Sequence, residues 1–305
     1  MASNRIRNFF KNAIKRYHDT INDSYILNEV DSSLIKDLWY GNIKFEDLYQ
    51  VTGYEEYSPV SKEDNMESFA RIFFGNENYG KYLTFEILQN GYIQWYNPIP
   101  EVNKQIEYRR NKSEWITCDC DTTINVQMND ILEFRGLHSS YMDIESGEAC
   151  YFTSNCRFNV KGNIMSLIYS DDFMFKDTLT DEDCFTSLFY SCDKLMSAEN
   201  LILPATTLTD CCYSNMFNGC TSLTTAPELP ATTLTRFCYA FMFNDCTSLN
   251  YIKCLATDIR AESCLDDWVN NVASSGTFIK ASDMEDWPTG NNGIPDGWNI
   301  ENIDE

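Results

Sequence analysis

Two adjoining stretches decide the fold. Residues 203–228 read LPATTLTDCCYSNMFNGCTSLTTAPE, and residues 229–254 read LPATTLTRFCYAFMFNDCTSLNYIKC, a repeat with a period of 26 residues. A degenerate earlier copy begins at Leu179 (LTDEDCFTSLFYSCDKLMSAENLI), with a two-residue insertion before Leu203, and a terminal copy begins at Leu255 (LATDIRAESCLDDWVNNV). Self-similarity at a fixed period of roughly 20–50 residues marks a solenoid, because one unit cannot bury its own apolar face and stacked units can.

The aligned columns give the expected core. Cys184, Cys212, Cys238 and Cys264 form one column, and Cys192, Cys220 and Cys246 a second. Leu188, Met216, Met242 and Trp268 form a third, beside Phe189, Phe217, Phe243 and Val269. Cys212, Met216 and Cys220 are spaced by four, which predicts a helical turn with that face inward. Leu195, Leu223 and Leu249 begin the strands that follow. Seven of the thirteen cysteines are thereby assigned to packing, and Cys211, adjacent to Cys212, is expected to be at least partly exposed. The segment Phe278–Ile300 breaks the period and contains WPTGNNGIPDGW. It predicts a cap over the open end, with Trp287 and Trp298 as its apolar area. The rival reading is an exposed aromatic binding site.

Upstream, from about residue 81, the period becomes two. Tyr82–Leu88, Gly91–Tyr96, Gln105–Arg109, Ser113–Thr117, Thr122–Val126 and Ile131–Arg135 read as short strands, and Asn90-Gly91 predicts a hairpin between the first two. This density of strands predicts a short antiparallel, Ig-like β-sandwich. Arg157–Val160 and Asn163–Tyr169 read as two further strands. Residues 20–80 carry no motif. Residues 1–17 hold Arg5, Arg7, Lys11, Lys15 and Arg16 without an acid, while Ile6, Phe9, Phe10, Ile14 and Tyr17 share one face of an amphipathic helix. Such a helix docks in a groove of an acidic partner, packs on its own domain, or lies on a membrane surface; docking is the leading reading and membrane the weakest. The expected class is therefore mixed: an N-terminal helical attachment region over 1–80, a β-sandwich over 81–160, a leucine-rich-repeat-type solenoid over 161–275 and a cap over 276–305.

Composition narrows the function. The chain has 305 residues, with 46 acidic and 23 basic side chains and a net charge of −23. Displacing phosphate counterions needs the opposite balance, so no nucleic-acid partner is expected. A content of 43% hydrophobic and 14% aromatic residues supports a packed core. No apolar run is long enough to span a bilayer. The N-terminus lacks an apolar secretory core, so neither a signal nor an obligatory disulfide framework is expected. His18 and His138 lie in different regions, which makes a histidine-based triad hard to assemble. Cys118, Cys120, Cys150 and Cys156 have spacings that suit zinc poorly, so no metal or other cofactor is expected. The carboxylate pairs Asp171-Asp172, Glu182-Asp183 and Asp266-Asp267 are the remaining enzyme candidates, and nothing in the sequence prefers one. There is no P-loop, dinucleotide fingerprint or G-x-S-x-G. No enzymatic activity is expected.

The LPATTL…C-Y-x-x-M-F-x-x-C-T-S-L units resemble the BspA-like leucine-rich-repeat family, found in gut bacteria and their tailed phages. The resemblance is close over about residues 179–270. The order of sandwich, RFNVKGNIMSLIYSDDF, repeats and a G-I-P-x-G-W ending also resembles whole members. It implies a surface adhesin or a phage fibre or decoration module, without catalytic residues to carry over. This chain departs from the pattern in having only three to four units and no visible export signal. The expectation is therefore a virion protein, assembled in the host cytoplasm, that docks to other virion proteins through residues 1–17. Its solenoid would display a strand face to a host-surface glycan or protein. The face expected to bind comprises Glu199, Thr224, Thr225, Glu228, Asn250, Tyr251 and Lys253, with Tyr251 and Lys253 the most binding-like pair. The alternatives are a bacterial cell-surface adhesin and a purely structural virion component. Self-association into a homo-oligomer is compatible with the sequence, although it holds no heptad or trimerisation motif.

Overall fold

The computed structural model describes residues 70, 74, 76–98, 104–143 and 145–303. The docking segment with Arg5, Ile6, Arg7, Phe9, Phe10, Lys11, Ile14, Lys15, Arg16 and Tyr17 lies outside the described residues. Contacts divide the chain into two units, Met1–Lys81 and Tyr82–Glu305. In the first, a short 3₁₀ turn at Glu77–Gly80 is capped by Asn76, whose side-chain oxygen accepts from the Asn78 amide at 2.9 Å.

The second unit begins with two facing sheets. One contains β1 (Leu83–Ile87), β3 (Ile106–Arg110), β4 (Ile116–Cys118), β6 (Ile131–Arg135) and β10 (Phe158–Asn163), in the order β10-β1-β6-β3-β4. The other contains β2 (Gly91–Tyr96), β5 (Thr122–Val126) and β9 (Tyr151–Ser154), in the order β5-β2-β9. A two-stranded ribbon, β7 (Met142–Asp143) with β8 (Glu148–Ala149), lies between β6 and β9 in sequence. Alternate side chains of the two sheets meet in an aromatic core. Phe85 lies 4.7 Å from Phe134 and 4.8 Å from Phe152, and Trp95 lies 4.7 Å from Phe152, centroid to centroid. The outer face of the larger sheet buries an ion pair, Arg109 Nε donating to Glu133 Oε2 at 2.7 Å, under the ring of Trp115.

Two expectations fail here. Asn90-Gly91 does not close a hairpin: β1 pairs with β6 and β10, whereas β2 pairs with β5 and β9. Neither residue takes a positive φ. Gly91 is required instead by crowding, since a Cβ there would sit 2.3 Å from Asn155 Oδ1 and 2.6 Å from Cys156 Cβ. Asn90 Oδ1 accepts from the Met128 amide at 2.8 Å, stitching two loops as the chain crosses between sheets. Nor is Asn163–Tyr169 a strand. Beyond β10 the chain turns into a four-residue helix, α1 (Ser166–Tyr169). The Ser166 hydroxyl accepts from the Leu83 amide and donates to the Phe134 carbonyl, both at 2.9 Å, so this segment plugs the end of the sheet instead of extending it.

The sandwich then becomes the first rung of a solenoid. β11 (Leu195–Ile202) pairs in parallel with β10. A second, four-stranded parallel sheet follows, β12 (Thr225–Leu229), β13 (Tyr251–Cys254), β14 (Thr277–Ala281) and β15 (Asn299–Ile303), each paired with the next, making a β-solenoid of about three turns.

The segments joining these strands are not helical, which corrects the reading of the four-residue spacing. Every fourth residue is left-handed: Cys211, Asn215 and Gly219 in one coil, Phe237, Phe241 and Asp245 in the next. Between them the even-numbered amides donate back three residues, as Ser214 does to Cys211 and Asn218 to Asn215. The odd-numbered amides of Tyr213, Asn215, Phe217 and Gly219 cross to carbonyls of the following coil at 2.8–3.1 Å. A helix would consume those carbonyls internally; a chain of β-turns leaves half of its amides for the neighbouring coil. The inward columns stand as expected, with Cys212, Met216, Phe217 and Cys220 all fully buried.

Stacking runs the length of the unit. Phe189 packs on Phe85 and Phe152 of the sandwich at 5.9 and 5.8 Å. Phe189, Phe217 and Phe243 then stack at 5.4 and 5.6 Å, nearly parallel, and Phe243 meets Trp268 at 6.1 Å. Cys220 Sγ donates to the Phe189 carbonyl and Cys246 Sγ to that of Phe217, so the second cysteine column fastens each coil to the one before. The end is closed as expected. Trp287 stacks on Trp268 at 6.1 Å, both Trp287 and Trp298 are buried, and Trp298 Nε1 donates to the Ala273 carbonyl at 2.7 Å. That burial leaves no room for the exposed aromatic reading of these two indoles.

Gly219 tests the turn geometry. Its φ is +77°, and Asn271 at the equivalent place in a later coil adopts +59°. Gly219→Ala is expected to cost about 1 kcal/mol in urea unfolding and Gly219→Asn less than half of that, because asparagine tolerates this region and alanine does not. Equal losses for the two would contradict a left-handed residue at this position.

Candidate binding surface

In the solenoid sheet, side chains alternate between the packed interior and the outside. Ile252 and Cys254 of β13 are buried while Tyr251 and Lys253 point outward. Parallel pairing sets side chains in rows: Thr225, Tyr251, Thr277 and Asn299 in one, and, after a register shift in β12, Glu228, Lys253, Ile279 and Glu301 in the next. Lys253 Nζ lies 2.7 Å from Glu228 Oε2, with the carboxylate side chain about half exposed. A pair this open contributes at most about 1 kcal/mol, so it is available for exchange with a ligand's charges.

The structure thus brings Thr225, Glu228, Tyr251 and Lys253 together on adjacent strands. Asn250 lies at the margin, its side chain exposed while its carbonyl accepts from the Thr277 amide at 2.9 Å. Thr224 is committed to the ladder: its amide and its hydroxyl both donate to the Met196 carbonyl, at 3.0 and 3.1 Å. Glu199 stands apart. Between Ser197 and Asn200 the strand has two residues against the single Val160 of β10, and Glu199 occupies that bulge. The next strand repeats the irregularity at Ala226-Pro227, opposite Ile252, where a proline costs no ladder hydrogen bond.

The groups considered for chemistry have structural occupations. Asp171 accepts from Tyr82 Oη at 2.9 Å and from Arg135 Nη1 at 2.8 Å. Asp183 accepts from the Thr186 hydroxyl at 3.1 Å, and burial holds its carboxyl above the usual range. Asp267 anchors the cap through Asn291 and Asn292. Burial, with Lys104 adding to it, lowers the pKa of His138. Among the described residues, no three His, Cys, Asp or Glu side chains are grouped to hold a metal ion, and no helix is long and apolar enough to cross a membrane. One departure from the repeat escaped the sequence analysis: Tyr190 stands where later coils carry Asn218, Asn244 and Asn270.

The thiols are kept neutral by burial. It pushes Cys118, Cys150, Cys238 and Cys254 up to about 12, and Cys184 and Cys264 to about 11, from an ordinary 9.0. Cys211, half-exposed as expected, is also raised to about 11. Unfolded thiols ionise first, so their contribution to stability is complete below pH 9.0 and declines as pH rises toward these folded values. The urea midpoint is expected to be independent of these thiols up to about pH 8.5 and to fall steeply above pH 9, by about 1.4 kcal/mol per thiol per pH unit. A midpoint unchanged to pH 10.5 would contradict buried neutral thiols.

No protein family model matches this chain, no curated protein matches it, and no solved structure matches it.

Proposed function

We propose that the chain is a non-enzymatic adhesion module of the BspA-like leucine-rich-repeat type, carried on a phage virion, with the outer face of the solenoid sheet as its contact with a host-surface glycan or protein. The observation that carries this reading is that face itself. Tyr251, Lys253, Glu228 and Thr225 form adjoining rows on strands whose other faces do all the packing. Side chains free of packing duty can differ in chemistry without cost to the fold, which is how solenoids serve as binding surfaces. The two facing antiparallel sheets suit the Ig-like carrier domain of such proteins. In this reading the basic segment of residues 1–17 is the attachment to the virion, complementary in charge to an acidic partner, while the rest of the chain carries about −28.

The test uses the labelled full chain offered to candidate host cells. Saturable binding is expected to weaken at least tenfold when Tyr251→Ala and Lys253→Ala are combined, with the thermal midpoint moved by only a few degrees, since both residues lie outside the core. Saturable binding unaffected by the pair would overturn the assignment of the face. Absence of cell binding, together with virion incorporation that requires residues 1–17, would leave a structural decoration.

A further inference from the structure

Three asparagines, one per coil, form a ladder along the turn side of the solenoid. Asn244 Nδ2 donates to Asn218 Oδ1 at 3.2 Å, Asn270 Nδ2 to Asn244 Oδ1 at 2.8 Å, and Asn291 of the cap to Asn270 Oδ1 at 2.9 Å. The equivalent place in the first coil holds Tyr190, which is 41% exposed. An asparagine there would continue the ladder, so packing does not explain the exposed ring.

The sandwich supplies what faces it. Tyr151 of β9 lies 6.1 Å from Tyr190 with the rings at 75°, and Tyr96 of β2 lies 5.1 Å from Tyr151 at 55°. Beside them is an open depression of about 260 Å³, lined among others by Met142, Gly147, Glu148, Tyr151, Ser187 and Tyr190. Burial raises the Tyr151 phenol above its ordinary range, and Tyr96, Glu148 and Tyr190 are close enough to raise it further. Two phenols, Tyr151 and Tyr190, and the Glu148 carboxylate therefore line one mouth, with Tyr96 packed behind Tyr151.

We propose that this depression is a carbohydrate site that takes one neutral pyranose ring of a glycan. Tilted aromatic rings offer flat apolar area at little entropic cost, matching the C–H face of a pyranose, while phenols and a carboxylate meet its hydroxyls. The volume is below the roughly 300–1,000 Å³ of sites for drug-sized ligands, so it seats one ring and leaves the remaining glycan outside. Asp143 and Glu148 lie opposite each other in the β7–β8 ribbon, with Lys104 in electrostatic reach of Asp143, and among the described residues that line the depression Glu148 is charged and none is Lys or Arg. Anionic sugars are therefore disfavoured. The site uses the turn segment of the first coil, whereas Tyr251 and Lys253 lie on β13, and it does not rest on the proposed role of that sheet face.

The full chain is titrated with cellotetraose, lacto-N-tetraose and sialyllactose, followed by saturation-transfer NMR and calorimetry. At least one neutral probe is expected to saturate below about 10 mM, and sialyllactose to bind about tenfold more weakly than that probe. Tyr190→Asn, which restores the ladder residue and so keeps the coil, is expected to weaken the neutral probe five- to tenfold, and Tyr251→Ala to leave it unchanged. Failure of both neutral probes to saturate, wild-type affinity in Tyr190→Asn, or tighter binding of sialyllactose would each overturn the proposal. Host-cell binding lost only in the Tyr251 and Lys253 variant would concern the sheet face alone.

Discussion

The parallel pairing of β10 with β11, seated over Phe189 against Phe85 and Phe152, is the constraint on which the rest of the unit depends. A coil of this solenoid has two open faces and too little interior to hold itself together. Its first strand needs a partner already fixed in place, and its first aromatic ring needs something to stack on. The sandwich supplies both. It contributes β10 as a template strand and an aromatic core that runs into the Phe189, Phe217 and Phe243 column. At the far end Trp287 and Trp298 replace the coil that is missing.

Much of this was legible in the sequence because stacking repeats the same requirement every 26 residues. Each column keeps its apolar character while its size varies, as from Leu188 to Trp268, so the buried cysteines, methionines and phenylalanines could be assigned before any contact was known. The conformation between the strands was not legible from spacing alone. Residues four apart share a face in a helix and also in a run of four-residue turns, and the inward pattern is the same. The distinguishing signal lay in the outward positions. Asn215, Gly219, Asp245 and Asn271 are residues that tolerate a left-handed backbone, but Phe237 and Phe241 take it too and obscure the pattern. Asn90-Gly91 misled for a related reason. Its local preference for a tight turn was outweighed by partners that β1 and β2 find far away in the chain.

The candidate surface shows the same division. Alternation along β13 was enough to place Tyr251 and Lys253 outside, but the 26-residue register aligns Lys253 with Pro227, and only the bulge at Ala226-Pro227 brings Glu228 beside Lys253. Glu199 left that row because a bulge inserts a residue, an event that only Pro227 in the next copy hints at. Tyr190 was visible as a substitution in an asparagine column, yet its meaning depended on Tyr151 and Tyr96 arriving from the sandwich. A repeat alone shows which positions are free of packing. What those positions do together depends on the neighbouring elements.

Native-state hydrogen exchange in the wild type and in Phe189→Leu tests the dependence of the solenoid on the sandwich most directly. The account predicts that amides of β10, β11, β12 and β13 open with one shared free energy and that all four lose protection together in the variant. Wild-type protection retained in β12 and β13 while β11 alone is weakened would contradict it.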